Sequence, residues 1–241
     1  MPRQLALFLT AVQFLTRVPT PELKGYQPDW TARSARYFPL VGTLVGGVSA
    51  TVLAGASLAW GGLLPALLAV GVGVLLTGAF HEDGLADTAD GLGGGQTPER
   101  RLEIMKDSRI GTFGALGLGL VLAVKVAALG EAPVGLAAAV LAMRLLPYAG
   151  DRAWAKVKPV ADGVTTGETV VALAFGGLAL VPVMLLAPWA ALSGLALAVV
   201  AATAVVLLAK RLIGGWVGDT LGATEQVFEA AFLAGFVAVI A

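Results

Sequence analysis

The 241-residue chain has no cysteine, so disulfides, thiolate nucleophiles and cysteine-bound metals are excluded. It has one histidine, His81, which rules out a multi-histidine metal site within one chain. Charge is also scarce: 13% of residues are charged, about half the share of an ordinary soluble domain. Sixteen basic and sixteen acidic residues cancel, so no net field draws the chain to nucleic acid. No long polar stretch is left for a separate soluble domain, and the length suits one helical bundle over 1–241.

What is present is apolar. Hydrophobic residues make up 57% of the chain, and mean hydropathy is +0.84. Several runs approach the roughly 20 residues that cross a bilayer. The pattern predicts an all-α, polytopic integral membrane bundle of about 6–7 spans, at 38–60, 62–80, 113–130, 133–150, 169–187, 189–209 and 226–241. Residues 1–20 carry an early Arg3 and an apolar stretch from Leu5 to Leu15. Arg17 and Pro19 follow with no small-residue cleavage site, so this reads as an interfacial or half-inserted helix rather than a signal peptide. Basic residues fall in alternate segments: Arg17, Lys24, Arg33 and Arg36; then Arg100, Arg101, Lys106 and Arg109; then Arg152, Lys156 and Lys158; then Lys210 and Arg211. The short turns Gly61-Gly62, Gly130–Pro133 and Pro188-Trp189 carry none. The positive-inside rule places the long segments, and the catalytic segment 81–112 among them, in the cytoplasm. Trp60 and Trp189 suit anchors at the opposite interface. Gly42, Gly46 and Ala50 recur every four residues, as close helix packing requires. No internal repeat supports a transporter with inverted halves.

The densest group of ionisable residues is FHEDGLADTADGL, from Phe80 to Leu92. Asp83, Asp87 and Asp90 are spaced i, i+4, i+7, which puts three carboxylates on one face of a helix. Like charges held together call for a cation, and hard oxygen ligands suit magnesium, calcium or manganese. Glu82 lies roughly a quarter-turn off that face and is the weaker ligand candidate. Gly84, Ala86, Ala89 and Gly91 are expected to leave the face open to a phosphate or metal. His81 borders the acids as a candidate acid, base or hydrogen-bond donor. The competing reading is a solvated helix end with capping acids.

A second motif runs from Glu103 to Gly114, EIMKDSRIGTFG. Lys106 and Arg109, at i, i+3, are placed to clamp a diphosphate, with Asp107 and Ser108 between them. Ser108 and the glycines offer backbone donors at the start of the next span. A juxtamembrane cluster touching lipid headgroups is the alternative, and it suits Arg100 and Arg101. A third motif, Gly214 to Glu225 with Glu229 beyond, is expected to break the helix after Lys210-Arg211. It leaves Asp219 as an isolated acid at a membrane boundary, predicted to line the same cavity as Asp83, Asp87 and Asp90. Lys125, within an apolar span, is expected to snorkel outward. Arg144 is expected to face the bundle.

These motifs resemble the cobalamin synthase family, the adenosylcobinamide-GDP ribazoletransferases. FHEDGLADTADGL and EIMKDSRIGTFG carry the resemblance, with Phe14–Pro19, Tyr37–Gly42 and Gly218–Ala223 as further signatures. Val217 departs from it, because Thr is expected before that Gly-Asp. The resemblance implies that adenosylcobinamide-GDP and α-ribazole, or its 5′-phosphate, are joined with release of GMP. It implies attack by the ribazole 5′-oxygen on the cobinamide-linked phosphorus. Mg2+ on Asp83, Asp87 and Asp90 would neutralise the pyrophosphate, Lys106 and Arg109 would hold phosphate oxygens, and one aspartate would accept a proton. It further implies a multi-pass protein of a prokaryotic inner membrane, in contact with lipid, and leaves a homo-oligomer open. Two other readings are a CDP-alcohol phosphotransferase and a divalent cation transporter. Asp87 stands where the first would have Arg, and the apolar spans carry few of the acids that the second needs.

Overall fold

The computed structural model describes residues 1–132 and 164–240. Helices are labelled in chain order within those residues: α1 Arg3–Leu15, α2 Trp30–Ser34, α3 Phe38–Ser57, α4 Leu64–Thr77, α5 Phe80–Gly94, α6 Pro98–Met105, α7 Thr112–Glu131, α8 Thr166–Leu186, α9 Pro188–Ile213 and α10 Gly218–Ile240. A short 3-10 turn, Ala35–Tyr37, joins α2 to α3. No strand occurs among the described residues. The expected span at 133–150 with Arg144, and the basic residues from 151 to 163, lie outside them.

Five stretches are long and apolar enough to cross a membrane: Trp30–Ser57, Thr112–Glu131, Thr166–Leu186, Pro188–Ile213 and Gly218–Ile240. Much of their surface points away from the protein. Leu116, Leu120, Leu178, Leu185, Val200 and Leu207 are all exposed, an arrangement that is stable only where lipid replaces water. The protein is therefore a multi-pass helical membrane protein. α1 has 13 residues and a length of about 20 Å, short of the roughly 30 Å hydrocarbon core, as the half-inserted reading expects. The interior lies between α9 and α10, where Phe236 and Leu233 pack on Ala190, Ala191 and Ala198. A side chain at Gly194 would meet the Phe232 carbonyl at 2.7 Å, so small residues set this close approach.

Two expected elements differ from the structure. The 62–80 run is not one straight span. α4 stops at Thr77, and α5 leaves at 91° to it. Gly78 and Ala79 both take left-handed backbone conformations, with φ 64° and 58°. The Ala79 amide donates to the Val74 carbonyl at 2.9 Å and the Gly78 amide to that of Leu75 at 3.3 Å, a paired closure that satisfies the last carbonyls of α4. Arg17 lies across this elbow: its amide donates to the Leu76 carbonyl, and its side chain fills the space where a Gly78 side chain would stand. The second difference is the last helix. It starts at Gly218, eight residues before the expected 226, because the break is confined to Gly214 (φ 76°) through Val217. Asp219 therefore sits in a first helical turn rather than in broken backbone.

Candidate functional site at the elbow helix

α5 is helical throughout the aspartate motif, so Asp83, Asp87 and Asp90 do share a face. The face is graded. Asp83 is exposed, Asp87 is half-buried, and Asp90 is buried. Asp90 has a specific task. Its Oδ2 accepts the Gly111 amide at 2.6 Å and its Oδ1 accepts the Gly114 amide at 2.8 Å. Those amides belong to the start of α7, which no local side chain caps. A carboxylate from another helix thus supplies both the missing acceptors and a negative charge at the positive end of the helix. Glycine is required at both positions. A Cβ at Gly111 would lie 2.4 Å from Asp90 Oδ1, and one at Gly114 would lie 2.3 Å from Oδ2.

α10 packs across the start of α5. A Cβ at Gly84 would meet the Asp219 carbonyl at 2.8 Å, and one at Gly222 would meet the His81 carbonyl at 2.9 Å. Asp219, 136 residues further along the chain than Asp83, is thereby brought against α5 between Asp83 and Asp87. The small residues of α5 serve this packing. Gly84 is covered by α10, and the space at Gly91 is taken by Met105. The expectation that they hold the face open for a phosphate is corrected at these two positions, since helix contacts already occupy the room.

The cationic motif is placed differently from a helical clamp. α6, capped by the Thr97 side chain, ends at Met105. Lys106, Asp107, Ser108 and Arg109 form the turn that follows, so the i, i+3 face does not exist there. Lys106, Ser108 and Arg109 are exposed. The Arg109 guanidinium grips the Asp107 carboxylate with Nε at 3.0 Å and Nη2 at 2.7 Å. These bonds hold the Asp107 carboxyl down to about 2, and the carboxylate raises Arg109 in turn. Arg101 donates to the Leu212 carbonyl at 2.9 Å and ties α6 to the end of α9, while Arg100 pairs with Glu103. Arg36 pairs with buried Glu168 at the start of α8.

The profile of the cobalamin-5-phosphate synthase family matches residues 7–237. The chain belongs to that family. Similar proteins include an adenosylcobinamide-GDP ribazoletransferase of Leptothrix cholodnii, 45% identical over 96% of this chain and 95% of the relative. One of Shewanella frigidimarina is 41% identical over 94% of this chain and 92% of the relative. No solved structure matches the chain. Its three polar motifs meet at the junction of α5, α10 and the α6–α7 turn.

The sequence reading missed a buried polar chain beside this junction. Lys125 is 2% exposed and points inward, which corrects the expectation that it snorkels. Its Nζ lies 2.8 Å from Glu229 Oε2 and donates to Gln226 Oε1 at 2.8 Å. Gln226, fully buried, donates from Nε2 to Glu82 Oε1 at 3.1 Å and to Glu225 Oε2 at 2.8 Å. His81 Nδ1 is 3.9 Å from the same Glu225 oxygen. Glu82 is thus a buried, hydrogen-bonded member of α5 facing α10, not a peripheral one. A cavity bounded by Gly46, Ser49 and Gly73 of α3 and α4 opens onto Glu82, Lys125 and Glu229. The signal for this chain was available: Asp219, Gly222, Gln226 and Glu229 fall at one-face spacing on an otherwise apolar helix.

Among the described residues, no three His, Asp or Glu side chains gather into a group that could hold a metal alone. That does not exclude magnesium chemistry. Magnesium is commonly held by one or two carboxylates, with substrate phosphates and water completing its shell. Asp83 and Asp87 lie on one face of α5 and take no part in the capping role of Asp90.

Proposed function

We infer that this protein is an adenosylcobinamide-GDP ribazoletransferase that joins adenosylcobinamide-GDP to α-ribazole or its 5′-phosphate. The observation that carries this reading is the match to the cobalamin-5-phosphate synthase family over nearly the whole chain. The family name argues for a different nucleophile from the ribazole 5′-oxygen expected above. A product that keeps a 5-phosphate has its ribazole 5′-oxygen already taken, so another ribose hydroxyl attacks. That oxygen forms a bond to the cobinamide-linked phosphorus, the bond to the GMP oxygen breaks, and the hydroxyl proton passes to a base.

Each residue is assigned by what it can reach. Asp83 and Asp87 would hold Mg2+, with Asp219 beside them, and the ion would offset charge on the pyrophosphate as GMP leaves. A carboxylate of this group not fully committed to the metal would take the hydroxyl proton, and His81 is the other candidate. Asp90 would fix α7 relative to α5 rather than bind the ion. Lys106 and Arg109, exposed in the turn after α6, would meet phosphate oxygens, and Arg109 would exchange Asp107 for the diphosphate. Exposed ion pairs contribute little, so that exchange costs little. The basic segments flanking the site suit a cytoplasmic orientation in a prokaryotic inner membrane.

The test is GMP release by purified protein given adenosylcobinamide-GDP and α-ribazole, with and without Mg2+. Turnover abolished by a chelator and restored by Mg2+ is expected. Full turnover in excess chelator would remove the metal from the scheme, and no GMP under any condition would remove the reaction.

A further inference from the structure

We propose that Gln226 and Lys125 are positioning residues that set the rotation and depth of α5, so that its aspartates face the substrates. The inference rests on the reaction assigned above but concerns residues outside the aspartate and cationic motifs. The two glycine contacts, Gly84 on Asp219 and Gly222 on the His81 carbonyl, bring α5 and α10 together. Contacts between small surfaces do not fix a helix against rotation. A directional bond does, and Gln226 supplies one: its Nε2 donates to Glu82, one residue before Asp83. Its own orientation is fixed from the other side, because Lys125 occupies its Oε1. Lys125 is held in turn by Glu229, one turn further along α10.

The location makes this chain costly to leave incomplete. Lys125 lies 13 residues into α7, about 20 Å along the span. A charge there is stable only when paired and bonded, so the network adopts one arrangement rather than several. α5 is otherwise held at its start by the elbow of two left-handed residues, Gly78 and Ala79, and near its far end by the Asp90 bonds to Gly111 and Gly114, which leaves the Asp83–Asp87 half to be oriented by its contacts with α10. A loss of roll control displaces Asp83 and Asp87 together without altering either. Small displacements of reacting groups cost up to about a hundredfold in rate, and loss of a supporting hydrogen bond typically costs ten- to a hundredfold.

The experiment compares wild type, Gln226→Leu, Lys125→Arg and the charge-balanced pair Lys125→Met with Glu229→Gln. The pair removes one charge of each sign and leaves the net charge of the interior unchanged, so it remains informative if Gln226→Leu does not fold. Turnover is measured well below the melting temperature of each variant, where all of them are folded. We expect kcat to fall about ten- to a hundredfold in Gln226→Leu and in the pair, with KM for both substrates little changed. Lys125→Arg, which keeps the charge and donors, should recover most of the activity. A second readout is independent of turnover. The chain has no cysteine, so Asp87→Cys reports on α5 through its rate of maleimide labelling. That rate should change several-fold when combined with Gln226→Leu or with the pair. Wild-type kcat in both, or unchanged labelling in both, would overturn the proposal. Absence of GMP release by wild type would instead sink the assigned reaction, while the labelling rates still decide the role of Gln226.

Discussion

Asp90→Asn separates two jobs that the sequence alone would merge. As one of three equal metal ligands, Asp90 would behave like Asp83 and Asp87 on substitution: lower metal affinity and an unchanged fold. Its contacts predict otherwise. The amide of Asn offers one acceptor where two backbone donors converge, Gly111 at 2.6 Å and Gly114 at 2.8 Å. One amide keeps its bond, and the other faces an N–H. Losing a hydrogen bond to a charged group costs about 1.5–3 kcal/mol. Removing the charge from the positive end of α7 adds about 0.3–1 kcal/mol. The sum is about 2–4 kcal/mol, which for a domain of this size lowers the melting temperature by roughly 5–15 °C. Asp83 is exposed, so Asp83→Asn should melt within a few degrees of wild type. Thermal unfolding of the detergent-solubilised proteins, followed by tryptophan fluorescence, measures both variants against wild type. If Asp90→Asn melts with wild type, the capping argument is wrong.

Other outcomes follow from the same contacts. Gly114→Ala places a Cβ 2.3 Å from Asp90 Oδ2 and should destabilise as Asp90→Asn does; the double variant should be little worse than either, as expected for partners in one interaction. Gly84→Ala must push α10 away from α5 at Asp219 and should lower turnover, so wild-type kcat would argue against Asp219 in the site. Asp107 is held at about 2 against an ordinary 3.8, so its pairing with Arg109 is complete above the higher value and lost only as pH falls through the lower. Activity should therefore show no inflection from this pair above about pH 5, and Asp107→Asn should lower KM for adenosylcobinamide-GDP by freeing Arg109; a raised KM would refute the exchange. Gln96→Cys should react in intact spheroplasts only with a reagent that crosses the membrane, and labelling by an impermeant one would invert the topology.

Hydropathy made the membrane bundle legible because the spans are nearly uniform apolar runs, and the i, i+4, i+7 spacing made the aspartate face legible because α5 is helical. The elbow was hidden for the converse reason. Gly78-Ala79 lies in an apolar run, and alanine gives no hint that it will take φ 58°. The start of α10 was misplaced because Gly214, Gly215 and Gly218 all permit a break, and only Gly214 has a positive φ. The clamp at Lys106 and Arg109 assumed helix where α6 had already ended. Position along the chain also conceals partners. Asp90 finds its donors 21 and 24 residues away, and Glu82 finds Gln226 at a separation of 144.

The grading of the aspartate face follows from what α5 packs against. A helix lying between α7 and α10 cannot turn three successive acids to the same surroundings. Asp90 meets the α7 terminus, where a buried carboxylate is stabilised by two amides and the dipole. Asp87 is partly covered. Asp83, nearest the elbow, stays open. Burial thus leaves the most exposed charge available to a ligand and commits the most buried one to the scaffold. The same division appears on α10, where Gln226 and Glu229 bond inside the bundle while Asp219, one residue from the helix start, reaches α5 at its rim. Both helices therefore place their scaffold bonds deep in the bundle and their candidate ligands at the edge. A substrate too large to enter the bundle could reach such an edge directly, and this is why the aspartates nearest the elbow, rather than the most buried one, are assigned to the chemistry.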